Sequence, residues 1–417
     1  MHFFFSQTFL PFFWVQFFGA LNDNVFKNAL VMIVLFQLGL DSSIAAQWVT
    51  AAAGIFILPF FLFSNRAGYL ADHWDKVKMT RRIKLAEIII MLLGVGALWL
   101  KSVPLMMMVL FLMGSQSAFF GPIKYALLPE YLPTQHLDAA NAIFSGSTFL
   151  AILLGTLASG ILVASFDSYQ QILFWLSGTT LSLAGLGLLA SFWLPKVPLQ
   201  PGETKKETKR SFVQLLQQAS TFKHAFTAIL AISWFWLVGA VFLSQVPVLA
   251  QQLSTQTFSL WLQLTPKSLT TVMLTSFTLG IGLGAGWIVW RLKQQHSLAS
   301  AWRMGSGLAI SIALFAGALW QTSTLPLELF LLLLAMIALF GGAFVVPFYR
   351  VMQCECPEHF RASMVATNNI LNAGLMVLSA IMIMMAYAIG LQLKEILLIL
   401  SLATLGVVWK LQHIKLQ

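Results

Sequence analysis

The chain has 417 residues, of which 59% are hydrophobic and only 9% charged, with a mean hydropathy of +0.83. Soluble globular domains carry about 25% charged residues, so the composition excludes that class and indicates a protein that crosses a membrane many times. The formal net charge of +10 sits in particular loops, which fits membrane orientation rather than a nucleic-acid surface, and no nucleic-acid partner is expected.

The first apolar run, residues 9–38, is long enough to span a bilayer as a helix. It is too long for a signal-peptide core and no Lys or Arg precedes it, so no cleaved leader is expected. Yet Asn22, Asp23, Asn24, Lys27 and Asn28 stand at its centre. A charge at mid-membrane is costly, so it faces a polar cavity or a partner. Helical spacing puts Gln16, Ala20, Asp23, Asn24, Lys27 and Asn28 on one face. Phe18, Leu21, Val25, Ala29 and Met32 lie on the other, for lipid contact or packing. The plainer reading is that Asp23 and Lys27, one turn apart, neutralise each other and hold helices together.

Further apolar segments recur at 44–70, 83–100, 104–128, 139–165, 171–194, 224–250, 268–291, 303–320, 325–352, 364–388 and 391–411, giving twelve spans. Basic residues alternate from side to side. Lys76, Lys78, Arg81, Arg82 and Lys84 follow span 2, Lys196, Lys205, Lys206, Lys209 and Arg210 follow span 6, and Arg291, Lys293 and Arg303 flank the connection from span 8 to span 9. Arg361, Lys410 and Lys415 complete that set, whereas the opposite loops hold Lys101, Lys267 and Lys394. The alternation places both termini in the cytoplasm. The hydrophilic stretch 195–222, opened by Pro195, Pro198, Pro201 and Gly202, reads as a cytoplasmic linker between halves 1–194 and 223–417. Its part from Phe212 to Leu216 has the pattern of a short amphipathic surface helix.

The halves echo each other. FFGPIKYALLPEYLP ends span 4 and AFVVPFYRVMQCECP ends span 10, with Pro122 and Pro347 separated by the same distance as Glu130 and Glu355. Asn141 and Asn368 follow at nearly that separation. Internal repeats of this kind mark secondary transporters.

Span 2 runs into Gly68, Asp72 and then a basic cluster. This resembles the signature of the major facilitator superfamily, whose glycine, acid and later bases latch two halves on the cytoplasmic side. It departs at Asp75, where that signature usually has Gly. The second half keeps Gly286 and Arg291 but has Trp290 where the acid belongs. Gly68, Asp72, Arg81, Glu130 and Glu355 are the latch candidates. Lys124, inside the apolar end of span 4, either snorkels to the interface or turns inward to an anionic headgroup, beside a kink at Pro122. Tyr349 and Arg350 hold the matching part of span 10. Gly280, Gly282, Gly284 and Gly286 in span 8, with Gly146, Gly155 and Gly160 in span 5, read as tight helix packing.

Phosphate loops, HExxH and GxSxG are missing, as is the His-x4-Asp pattern of glycerolipid acyltransferases, so neither ATP use nor enzyme activity is expected. Cys354 and Cys356 read as ordinary thiols, and neither metal nor cofactor is expected.

Three stretches, QFFGALNDNVFKNALV, FFGPIKYALLPEYLP and GGAFVVPFYRVMQ with VATNN, together resemble the lysophospholipid transporter family of that superfamily. The first is closest to the transporter portion of bacterial fusions with an acyltransferase and an acyl-carrier-protein synthetase. The resemblance implies an all-α fold of twelve transmembrane helices in two pseudo-symmetric halves, in the bacterial inner membrane. It implies a monomer that moves lysophosphatidylethanolamine and related lysolipids from the outer to the inner leaflet by alternating access, for re-acylation by a fused or separate acyltransferase. Asp23, Asn24 and Lys124 fall on family motif positions; some members carry a base in span 7, where this chain has ISWFWLVGAVFLSQVPVLAQ and no charge.

Gln16, Asn22, Asp23, Asn24, Lys27, Asn28 and Lys124 are thus the expected headgroup residues, with Lys27 and Lys124 the only lysines at membrane depth in the first half. Tyr349 and Arg350 join them, and Trp234, Phe235, Trp236, Phe242 and Leu243 form the expected wall for a single acyl chain. The competing readings are a proton-coupled exporter of hydrophobic drugs or small metabolites, with Asp23 as relay, and a silent membrane anchor for an acyltransferase. An anchor has no need of charges at mid-membrane.

Overall fold

The computed structural model describes residues 6–196, 212–261, 264–292, 299–355 and 361–412. Among them the regular structure is α-helical, apart from one isolated bridge between Phe258 and Pro326. Helices are what an apolar chain must form in lipid, because each closes its own backbone hydrogen bonds. The order is α1 (Phe9–Phe36), α2 (Ser42–His73), α3 (Lys76–Trp99), α4 (Val103–Tyr131), α5 (Thr134–Ser165), α6 (Tyr169–Phe192) and α7 (Phe212–Thr221). Then come α8 (Lys223–Gln256), α9 (Pro266–Leu292), α10 (Ala299–Ala318), α11 (Leu327–Cys354), α12 (Arg361–Ala388) and α13 (Leu393–Gln412).

Local chemistry sets the ends. Gly39 (φ +65) follows α1 and Gly390 (φ +87) separates α12 from α13, both in a backbone region that side chains disfavour. Pro133 and Pro326 occupy the N-caps of α5 and α11. The third span begins earlier than the hydropathy predicts, at Lys76 rather than at residue 83. Asp75 is the reason: it sits at the N-cap and its Oδ1 accepts the Lys78 backbone N–H at 2.9 Å. The basic run is therefore the opening of a helix and not a loop. The short amphipathic helix is also longer than expected; α7 reaches Thr221 and buries Leu215 and Ala219, one turn apart, while exposing Val213.

The chain falls into two compact units. Residues 1–40 and 55–211 form unit 1; residues 41–54 and 212–417 form unit 2. In unit 1, α1 packs on α5 and α6, and α3 on α4 and α6. In unit 2, α8 packs on α12 and α13, and α10 on α11 and α13. Matched in order, these are the same neighbours, as an internal duplication requires. Both units use close helix crossings. A Cβ on Gly114 of α4 would strike the Phe56 carbonyl of α2, and one on Gly284 of α9 would strike the Leu339 carbonyl of α11. Gly280 also faces α11, with Ala338 Cβ 2.6 Å from where its Cβ would stand, whereas Gly282 and Gly286 face open space. One helical face, not the whole run of glycines, makes the contact.

Among the described residues, nine helices carry a stretch long and apolar enough to cross a membrane. The long helices α1 and α3 are not among them, and α5 offers only the shorter apolar piece Leu150–Ser165. All three belong to unit 1. Their polar content collects in one place.

Candidate functional site

Unit 1 buries a continuous polar seam along α1. Gln16, Asn22, Asp23 and Asn24 are all buried, Asn22 completely, while Lys27 and Asn28 are half-buried. Val25, Ala29 and Met32 on the other side are buried too, so that face packs on protein. The seam has partners on three other helices. Gln16 donates from Nε2 to Thr148 Oγ1 at 2.7 Å and accepts from Ser147 Oγ at 2.8 Å, both on α5. Asn28 Nδ2 donates to Thr156 Oγ1 at 2.9 Å, further along α5. Helices α1 and α5 come this near because Gly155 has no side chain; a Cβ there would lie 2.7 Å from Asn24 Cβ.

Asp23 turns to α4, where Ser117 Oγ donates to its Oδ2 at 2.5 Å. Its Oδ1 is buried without a hydrogen-bond partner, as is Asn22 Oδ1. The sequence pairs Asp23 with Lys27, and the structure corrects this. The ion pairs among the described residues are Lys76–Glu130, Lys78–Asp75 and Lys84–Glu87. Lys27 instead donates to Asn24 Oδ1 at 3.2 Å and lies over the Phe56 ring at 5.1 Å. Asn24 Nδ2 in turn donates to the Ala20 carbonyl at 2.8 Å.

A second correction concerns Lys84. The sequence counts it among loop cations, but it is 1% exposed, more than two turns inside α3. Its Nζ donates to Glu87 Oε2 at 2.7 Å, and Glu87 is 2% exposed. Two glycines make the room: a Cβ on Gly19 of α1 would collide with Lys84 Nζ, and Gly187 of α6 stands against the lysine stem, its Cβ position 3.5 Å from Lys84 Cδ. The ring of Phe120 covers the ammonium at 5.3 Å. Asn22 Nδ2 donates to the other oxygen of Glu87 at 2.9 Å, and Gln116 Nε2 reaches Oε2 at 3.5 Å. Lys84 is thus a third lysine enclosed among the helices of the first half, more deeply than the half-buried Lys27 and Lys124.

Lys124 donates to Thr148 Oγ1 at 3.1 Å and stands over the Phe144 ring at 5.6 Å. It shares Thr148 with Gln16, so the inward orientation, not snorkelling, is the one adopted.

In unit 2, Trp236 Nε1 donates to the Tyr349 hydroxyl at 2.9 Å, both half-buried. Phe235 is buried against Gly341, and Phe242 is fully buried between Phe277 and Phe315, so Phe242 is core and offers no wall to an acyl chain. Trp234 Nε1 donates to Thr404 Oγ1 on α13 at 3.2 Å, while Leu243 is 40% exposed. A separate buried group joins Gln245 to Thr50 at 2.9 Å, with Tyr387 donating to Gln245 Oε1 at 2.6 Å. The side chain of Arg350 lies outside the described residues.

Of the latch candidates, the side chain of Asp72 is likewise outside the described residues. Gly68 has open space where a Cβ would stand. Arg81 donates to the Ser191 and Phe192 carbonyls at 3.1 and 3.3 Å and lies over the Phe192 ring, a cation at the C-terminal end of α6. Glu130 pairs with Lys76 at 2.7 Å, and Glu355 is the exposed C-cap of α11.

Sequence reasoning missed Glu87, Gln116, Ser117, Ser147, Thr148 and Thr156, besides Lys84. The signal was available for one pair. Lys84 and Glu87 are three apart within the apolar setting IKLAEIII, the spacing at which side chains on a helix meet.

A helical membrane bundle built from two matching units, with buried amide side chains in both and a buried lysine–glutamate pair in the first, fits the class of polytopic transport proteins. The family model of the Major Facilitator Superfamily matches residues 12–380, and the chain belongs to that superfamily. Relatives named Lysophospholipid transporter LplT include that of Klebsiella pneumoniae (strain 342), 27% identical over 359 residues, 84% of this chain and 81% of the relative. That of Salmonella heidelberg (strain SL476) is 26% identical over 348 residues, 81% of this chain and 77% of the relative. Similar solved structures include a POT family transporter in complex with 5-aminolevulinic acid, with TM-score 0.68, 15% identity and coverage of 96% and 94% of the two chains. The nucleoside transporter NupG matches with TM-score 0.67, 14% identity and coverage of 97% and 98%. These likenesses are of fold.

Proposed function

We propose that this chain carries lysophospholipids across the bacterial inner membrane, from outer to inner leaflet, by alternating access. The observation that supports it is the buried seam of unit 1, in a chain whose relatives are named lysophospholipid transporters. A lysophospholipid head brings a phosphate and, in the ethanolamine form, an ammonium. Lys124 suits the phosphate through a charge-assisted contact, and Asp23, with one oxygen unpartnered, suits the ammonium. Delivery to the inner leaflet would supply an acyltransferase, fused or separate, on the cytoplasmic side. Gly68, Asp72, Arg81, Glu130 and Glu355 remain the residues proposed to bias the conformational states.

Uptake of labelled lysophosphatidylethanolamine by spheroplasts, set beside a cationic dye, tests the reading. Lysolipid uptake that depends on the chain is expected, with Asp23→Asn abolishing it while the protein stays folded. Lys124→Gln should weaken all phosphate-bearing heads alike. Export of the dye with no lysolipid uptake would establish the exporter instead.

A further inference from the structure

The Lys84–Glu87 pair lies outside the groups assigned to the headgroup, and its position calls for a role. Both side chains are all but sealed from solvent. Such a pair is poor evidence of stabilisation, because desolvation of two charges commonly equals or exceeds their attraction. Its cost here is met by specific fittings: two glycines on different helices that clear a niche for the lysine, and a ring that covers it. What those fittings hold in place is Glu87, and Glu87 is a shared acceptor. It takes hydrogen bonds from Lys84 on its own helix, from Asn22 on α1 and from Gln116 on α4.

The two outer partners lead to Asp23 from two sides. Asn22 precedes Asp23 on α1, so fixing the Asn22 amide fixes the rotation of α1 about its axis at that turn. Gln116 precedes Ser117 on α4; the Ser117 hydroxyl gives its one proton to Asp23 Oδ2 at 2.5 Å, with Gln116 Oε1 standing 3.3 Å from the same hydroxyl oxygen. One carboxylate thus holds the chain neighbour of Asp23 on α1 and the chain neighbour of its hydrogen-bond partner Ser117 on α4.

We infer that Glu87, anchored by Lys84, is a positioning residue for the headgroup site: by holding Asn22 beside Asp23 and Gln116 beside Ser117, it aims the unpartnered oxygen of Asp23 at the ammonium of the substrate. This rests on the lysophospholipid reading for the identity of the ligand, but the geometry that carries it lies wholly in unit 1. It makes a selectivity claim. Loss of the pair should impair heads with an ammonium more than heads without one, because Lys124 and its Thr148 contact are untouched.

The test uses the full chain in proteoliposomes, with lysophosphatidylethanolamine and lysophosphatidylglycerol as probes. The variant Lys84→Met with Glu87→Leu removes both charges at similar volume and is expected to fold. Its apparent KM for the ethanolamine lysolipid should rise about ten-fold, as loss of one well-aimed charge-assisted contact would produce, with little change for the glycerol lysolipid. Equal KM values to wild type for both, or an equal rise for both, would overturn the positioning role. If that variant fails to fold, Gln116→Leu, which spares the ion pair, carries the test with the same expected split and the same overturning result. A readout without transport separates this inference from the functional reading. In protein labelled at the aspartate carboxyl carbon, the infrared band lost in Asp23→Asn is expected to shift in the pair variant. Should the wild type move neither lysolipid, the functional reading falls and the band decides the inference: a shift upholds the positioning of Asp23, and an unmoved band overturns it.

Discussion

Two lysine–glutamate pairs in unit 1 share a geometry and differ in everything else. Lys84–Glu87 and Lys76–Glu130 both close at 2.7 Å. The side chains of the first are 1% and 2% exposed and those of the second 16% and 29%. Exposure decides what each is worth. Truncating Glu87 to Ala strands an ammonium in the bundle and should cost about 3–5 kcal/mol. Truncating Glu130 to Ala leaves Lys76 near water and should cost about 1 kcal/mol or less. Denaturant unfolding in mild detergent measures both, and equal losses would refute the ranking. The sequence made the α1 seam legible because Asn22, Asp23, Asn24, Lys27 and Asn28 interrupt an apolar run on their own. Lys84 was hidden by its neighbours: it follows Lys76, Lys78, Arg81 and Arg82 closely enough to read as one more loop cation. The cap at Asp75 starts α3 ahead of that run, so Lys84 stands well inside a helix, and the niche left by Gly19 and Gly187 takes its side chain inward. The Asp23–Lys27 pairing failed for a different reason. Spacing brings two side chains onto one face, but Ser117 of another helix and Asn24 offered nearer partners.

At the scale of the helix, contact faces follow the 3.6-residue repeat and not the composition of a segment. Gly114 marks the crossing of α4 on α2 and Gly284 that of α9 on α11, each against a backbone carbonyl that has no rotamer to retreat into. Gly114→Ala should therefore force the helices apart and cost about 1–3 kcal/mol. Gly178 of α6, exposed with nothing within 4 Å of its Cβ position, should gain up to about 1 kcal/mol from the same substitution through helix propensity alone. Melting curves of the two variants in one detergent check the sign as well as the size. Span positions were readable from hydropathy, since a bilayer demands a minimum apolar length. Which glycine in a run touches a neighbour was not, because it depends on the rotation of each helix against a partner distant in sequence. The packing of Phe242 into the core of unit 2, where an open wall was expected, has the same origin.

For the molecule as a whole, the repeat is old news to the packing and new to the chemistry. The two units share four matched pairs of helix neighbours, yet among the described residues the buried ion pair lies in unit 1, beside the polar seam of α1. Their helices, α1 and α3, are not among those whose length and composition suit a membrane crossing, because charged and amide residues interrupt their apolar runs. That has a consequence for how the protein is made. A helix leaving the ribosome is sorted between water and lipid one segment at a time, and each central charge weighs about 2.5–3.5 kcal/mol against entry. Segments cut as Phe9–Phe36 or Lys76–Trp99 and placed in a reporter should fail to integrate, whereas Leu327–Tyr349, with mean hydropathy 2.8, should integrate fully; glycosylation mapping reads the difference. Efficient entry of the isolated α3 segment would disprove the idea. If those segments fail alone, α3 in the intact chain would wait near the exit of the insertion channel until α4 and α6 arrive to cover Lys84 and Glu87. The same buried pair that arranges a binding site would then impose an order of birth on the first six helices.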